Sequence, residues 1–70
     1  MREKQFKNSP KGRSEIPRRA GEYMLLGKFG DVVNNDWQRT NNLSRRIKEE
    51  HYARHGEFSY IKIRYGKRYN

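Results

Sequence analysis

The sequence predicts a small α+β domain, a two- or three-stranded antiparallel sheet packed on one helix, behind a disordered basic N-terminal arm. Three observations predict it. An apolar alternation, FSYIKIRY, lies near the C-terminus. A helix-forming stretch opened by asparagines fills the middle of the chain. Residues 1–22 hold two prolines, two glycines and only three large apolar side chains, Met1, Phe6 and Ile16. So little apolar surface does not offset the entropy of ordering a chain. The division is therefore a flexible arm over 1–22 and a small α+β domain over 23–70.

Within the arm, Ser9-Pro10 and Ile16-Pro17 favour extended backbone, because the residue before proline avoids the helical region. The first strand is placed at Tyr23–Phe29, YMLLGKF, which is short, apolar and bounded by Gly21 and Gly30. Gly27 marks a bulge or a close backbone approach there, and Gly30-Asp31 a turn. Asn35 with Gln38 fits a capping box, so the helix is expected to open at Trp37 and run to about Arg54. Trp37, Leu43 or Ser44, Ile47 and His51 would line its thin apolar stripe, with Gly56 as terminator. The last strand spans Phe58–Tyr65. Ser59, Ile61, Ile63 and Tyr65 face one way; Phe58, Tyr60, Lys62 and Arg64 face the other. Two strands and a helix are marginal alone. Residues 31–33 or 67–70 would supply a third strand, or two copies would pair as a homodimer.

Charge narrows the function. The chain has 17 Lys and Arg against 8 Asp and Glu, a net charge of +9 that is the electrostatic footprint of a polyanion binder. The arm carries seven basic and three acidic groups and residues 23–70 ten and five, so both halves are basic. At 70 residues the chain buries little core, which argues against a closed catalytic pocket. Ser44 and Ser59 lack an evident base, the carboxylates do not converge, and Gly27-Lys28-Phe29-Gly30 lacks P-loop spacing, so no enzyme is expected. Without cysteine there is neither a disulfide scaffold nor a cysteine-ligated zinc site, which fits a reducing, cytoplasmic setting. No apolar run approaches the roughly 20 residues that span a bilayer, and no secretory signal or membrane contact is expected.

Three constellations are candidates for nucleic-acid contact, each weighed against a plain structural role. On the last strand, Tyr60, Lys62 and Arg64 interleave an aromatic ring with cations, which suits base stacking and phosphate pairing; Arg68 extends this character. The alternative is that this face packs under the helix, with Phe58 and Tyr60 as core and Lys62 and Arg64 solvated at the edge; the alternation leaves open which face is buried. The helix cluster Arg39, Arg45, Arg46, Lys48 and Arg54 could track phosphates, or be a solvated charged face. The arm residues Lys11, Arg13, Arg18 and Arg19 resemble basic arms that follow a groove, or are an unbound tail. His51 and His55 have i, i+4 spacing but lack the order of a zinc-protease motif, so neither a metal nor any cofactor is expected.

The run GEYMLLGKFG, a polar helix and then HGEFSYIKIRY resembles small uncharacterised bacteriophage proteins with a strand, Leu-Gly-x-Phe, helix, Gly-x-Phe strand layout, from Gly21 to about Arg64. The resemblance transfers no site residues. It implies a phage accessory protein acting in the host cytoplasm, by binding nucleic acid or by blocking a host factor. The expected function is DNA or RNA binding of low sequence specificity. The alternatives are a protein-interaction module that modulates a host enzyme through its basic surface, and a component of a nucleoprotein particle.

Overall fold

The computed structural model describes residues 2–66. Its elements run β1 (Arg2–Lys7), α1 (Pro10–Ser14), β2 (Gly21–Leu26), β3 (Gln38–Thr40), α2 (Leu43–Ala53) and β4 (Tyr60–Tyr65). The strands form one antiparallel sheet in the order β1-β4-β2-β3. The class is α+β, as expected, but with four strands and two helices.

The largest correction concerns the expected flexible arm, of which residues 2–22 are described and form β1, α1 and the start of β2. β1 pairs with β4 along its whole length, from Arg2 opposite Tyr65 to Lys7 opposite Tyr60. Its side chains hardly reveal this. Phe6 packs against the core, while Glu3, Lys4, Gln5 and Lys7 are exposed, as suits an edge strand that repels further pairing. Backbone hydrogen bonds, rather than an apolar pattern, hold the segment. The pre-proline preference of Ser9 is real: its backbone is extended at φ −134°. That geometry makes it an N-cap, with Pro10 opening the helix and Ser9 Oγ accepting the Gly12 N–H at 3.0 Å. Gly12 is obligatory, because a Cβ there would strike the Lys7 carbonyl.

β2 stops at Leu26, short of Phe29. A tight turn follows, in which the Gly27 N–H donates to the Asp31 carbonyl and Gly30 takes φ 85°. Val32 makes only an isolated bridge to Leu26, less than the third strand considered at 31–33. The ladder then continues through a side chain: the Leu25 N–H donates to Asn34 Oδ1 at 3.0 Å, while the Val33 N–H donates to the Leu25 carbonyl. This leads the chain back along β2, and Gln38–Thr40 pairs with Gly21–Tyr23. The expected helix start at Asn35 is therefore wrong. Asn35 has φ 76°, not the extended backbone of a cap, and Trp37 lies outside any helix. The true cap is Asn42, whose Oδ1 accepts the Arg45 N–H at 3.1 Å.

Helix α2 buries Leu43, Ser44, Ile47 and Glu50. They meet Tyr23 and Leu25 of β2 and Ile61, Ile63 and Tyr65 of β4, with Ile16 and Phe58 closing the core. The alternation expected for the last strand holds from Tyr60 onward, with Ile61, Ile63 and Tyr65 buried beneath the helices. Phe58, expected on the opposite face, precedes the strand and is core. The other sheet face carries Glu22 and Met24, Tyr60, Lys62 and Arg64, and Glu3, Gln5 and Lys7 in register, without a covering helix.

Candidate nucleic-acid interface

The basic side chains fall on two faces with different chemistry. On the helical face, the loop before β2 abuts the start of α2. The Leu43 N–H donates to the Arg19 carbonyl at 2.9 Å and the Ser44 N–H to the Pro17 carbonyl at 3.2 Å. These bonds, with the Asn42 cap, occupy the first amides of the helix. Any anion there must be held by side chains. The same bonds bring Arg18 beside Arg45 and Lys48, one turn apart on the exposed side of α2. Together with Asn42 and Ser44, these three cations line a hollow of about 250 Å³. No acidic residue stands in the first turn of α2 or in the lining of this hollow. Lys48 also borders a second hollow, of about 300 Å³, reaching Arg13 and Ser14 of α1 and the ring of Tyr52, which is 78% exposed. Lys11 is exposed on α1, beside a separate shallow hollow that also contains Glu15.

Other candidates near this face have structural tasks. Arg13 donates to Asn8 Oδ1 at 2.5 Å and lies 3.4 Å from His51 Nδ1. The Arg19 guanidinium sits 4.2 Å above the Tyr65 ring. Arg46 donates from Nε to the Tyr23 hydroxyl at 3.0 Å and pairs with Glu49 at 3.3 Å. The Tyr23 hydroxyl in turn donates to Glu50 Oε2 at 3.0 Å, inside the core. Burial, with the Glu50 carboxylate beside it, raises the Tyr23 pKa above the usual 10.0, although Arg46 pulls the other way.

The open sheet face is cross-linked. Lys62 pairs with Glu3 at 3.2 Å, and Arg64 with Glu22 at 3.0 Å. Arg64 also covers the Trp37 ring at 4.1 Å. Arg39 belongs to β3, not to the helix, and stands opposite Glu22 in the register. Tyr60 is half-buried on this face, two residues from Lys62. The structure thus assembles Arg18, Arg45 and Lys48, ties down Arg13, Arg19, Arg46, Lys62 and Arg64, and moves Arg39 to the sheet. Arg68 lies outside the described residues.

His51 and His55 do not share a helical face. His51 is in the last turn of α2 with its ring edge-on to Phe58, whereas His55 lies past the helix end at φ 52°. Among the described residues no three potential metal ligands cluster. No helix there is long and apolar enough to cross a membrane. Sequence reasoning missed Trp37 as a sheet-face residue and Tyr52 as an exposed ring. The position of Tyr52, one turn after Lys48, is the signal that could have found it. Comparison of the chain with family models, with curated proteins and with solved structures finds no match to any of them.

Proposed function

We propose that the protein binds nucleic acid through its helical face, by phosphate contacts of low sequence specificity, and is a binding protein rather than an enzyme. The observation that carries this reading is the convergence of Arg18, Arg45 and Lys48 on one hollow with no carboxylate in its lining, in a chain of net charge +9. The three cations stand on one helix and on the loop bonded to its first turn, so the backbone that carries them is ordered before a phosphate binds. Binding releases the counterions condensed on the strand. Tyr52 beside Lys48 adds a ring that an unpaired base can stack on. Such a protein suits an accessory or regulatory factor.

The test is the salt dependence of binding to a mixed-sequence duplex. The wild-type chain is expected to lose affinity steeply between about 50 and 200 mM salt. The triple variant Arg18→Gln/Arg45→Gln/Lys48→Gln is expected to flatten the log–log slope by about 2.7, the share of three phosphate contacts. A flat wild-type response, or an unchanged slope in the triple variant, overturns the reading. A second reading, a module that docks on an acidic host protein, draws on Phe29, an apolar ring 86% exposed at the hairpin tip. A stoichiometric protein retained from nuclease-treated lysate, lost on Phe29→Ser, favours that reading instead.

A further inference from the structure

A separate hollow of about 490 Å³ opens at the end of the sheet where β1 finishes and β4 begins. The strand register builds one wall. Lys7 stands opposite Tyr60, and Tyr60 opposite Leu26, so ammonium and phenol ring are neighbours on the open sheet face. The hairpin turn after β2 brings Lys28 to the rim, and the far wall is His51 with Phe58. Among the described residues no carboxylate lines this hollow. Neither Lys7 nor Lys28 makes an ion pair with another described residue; the Lys28 ammonium lies 5.2 Å from the Phe29 ring.

The floor is braced. Asn8 Nδ2 donates to the Phe58 carbonyl at 2.7 Å, and its Oδ1 accepts from Arg13. The Ser59 N–H donates to the Leu26 carbonyl, and the Asn8 N–H to the Ser59 carbonyl. These bonds tie β1, β2 and the lead into β4 together, so the walls are held without a ligand. Among the described residues, neither ammonium has a carboxylate partner, and the face of Tyr60 and the Ser59 hydroxyl are open to the hollow. Their combination of an aromatic platform with two positive charges is the chemistry that recognises a phosphate joined to a flat ring. The volume lies in the range of pockets that hold one small molecule.

We infer that this hollow binds a single unpaired nucleotide, with its base against Tyr60 and its phosphate between Lys7 and Lys28. The site lies apart from Arg18, Arg45 and Lys48, so it stands or falls independently of duplex binding by the helical face. An end or an unpaired position of a strand would reach it, whereas the paired bases within a duplex would not.

The test is an amide chemical-shift titration of the full chain with adenosine 5′-monophosphate, and in parallel with inorganic phosphate and with adenosine. Saturable shifts are expected at Lys7, Lys28, Phe58 and Tyr60, with phosphate and adenosine each at least about tenfold weaker than the nucleotide. The double variant Lys7→Gln/Lys28→Gln is expected to weaken nucleotide binding about tenfold or more and to leave duplex affinity within about threefold. Tyr60→Phe should keep nucleotide binding and Tyr60→Leu lose it; should Tyr60→Leu unfold, the lysine pair decides. No saturation by about 10 mM nucleotide, shifts centred on Arg45 and Lys48, or equal affinity for inorganic phosphate would each overturn the inference.

Discussion

The helical face and the middle of the open sheet face both carry cations, but Arg18, Arg45 and Lys48 line a hollow without carboxylates, whereas Lys62 and Arg64 are each paired with a glutamate. On the sheet, antiparallel pairing sets β4 between β1 and β2, and each neighbour presents a glutamate. Lys62 meets Glu3 and Arg64 meets Glu22. On α2 the acidic residues are directed elsewhere: Glu49 to Arg46 at its side, and Glu50 inward to Tyr23. Arg45 and Lys48 are left without a carboxylate partner among the described residues. Surplus charge alone thus does not specify a polyanion site. The neighbours across the strand or around the helix decide which cations are neutralised.

The largest expected effect concerns the inward glutamate. Glu50→Ala removes the nearer acceptor of the buried Tyr23 hydroxyl, leaving Gln38 Oε1 at 3.5 Å, and also the ion pair with Arg54; it should cost about 2 kcal/mol in denaturant unfolding, while the salt slope of duplex binding stays unchanged. The same network makes an alkaline prediction. The folded pKa of Tyr23 is raised above 10.0, so the folded state holds this proton more tightly than the unfolded chain. Its contribution is fully present below pH 10 and is lost as pH climbs from there through the folded value. Tyr23→Phe should therefore flatten the decline of stability measured above about pH 10.

The next effect separates structural from free cations. Arg64→Gln removes the pair with Glu22 and the cover on Trp37, and is expected to destabilise by about 1 kcal/mol. Arg45→Gln, on the helical face, should change stability by less than about 0.5 kcal/mol. Thermal unfolding of the two variants side by side checks this; an equal loss would mean that the two faces are not different. The smallest effect turns one face into the other. Glu3→Gln/Glu22→Gln releases Lys62 and Arg64, and duplex affinity at low salt should rise about threefold. No change in affinity would show that neutralisation is not what keeps the sheet face silent.

Much of the core was legible in the chain. The β4 alternation places Ile61, Ile63 and Tyr65 on one face, and Leu43 and Ile47 mark the buried side of α2, because period-2 and period-3.6 patterns survive wherever one side is buried. The helix start was misread because Asn35, Asn41 and Asn42 all satisfy the local rule for a cap. Only the pairing of Gln38–Thr40 with β2 removes the first, by claiming those residues for the sheet. Of the candidate site, Arg45 and Lys48 were readable from helical spacing. The adjacency of Arg18 was not, since it depends on the bonds from Leu43 and Ser44 to the carbonyls of Arg19 and Pro17.

By itself the sequence determined the net charge of +9, the α+β class, the alternation of β4 and the lack of any cysteine cross-link, while the fold decided which face of β4 is buried. Tertiary structure alone decided that REKQFK is a strand, that Gly12 must lack a side chain, that Trp37 lies under Arg64, and which cations remain free. The physical reason is shared by the strand, the Trp37 contact and the free cations. An edge strand is held by backbone bonds to a partner more than fifty residues away, and a charge is neutralised by whichever carboxylate the register sets against it. Neither partner is adjacent in the chain, so no local pattern records them.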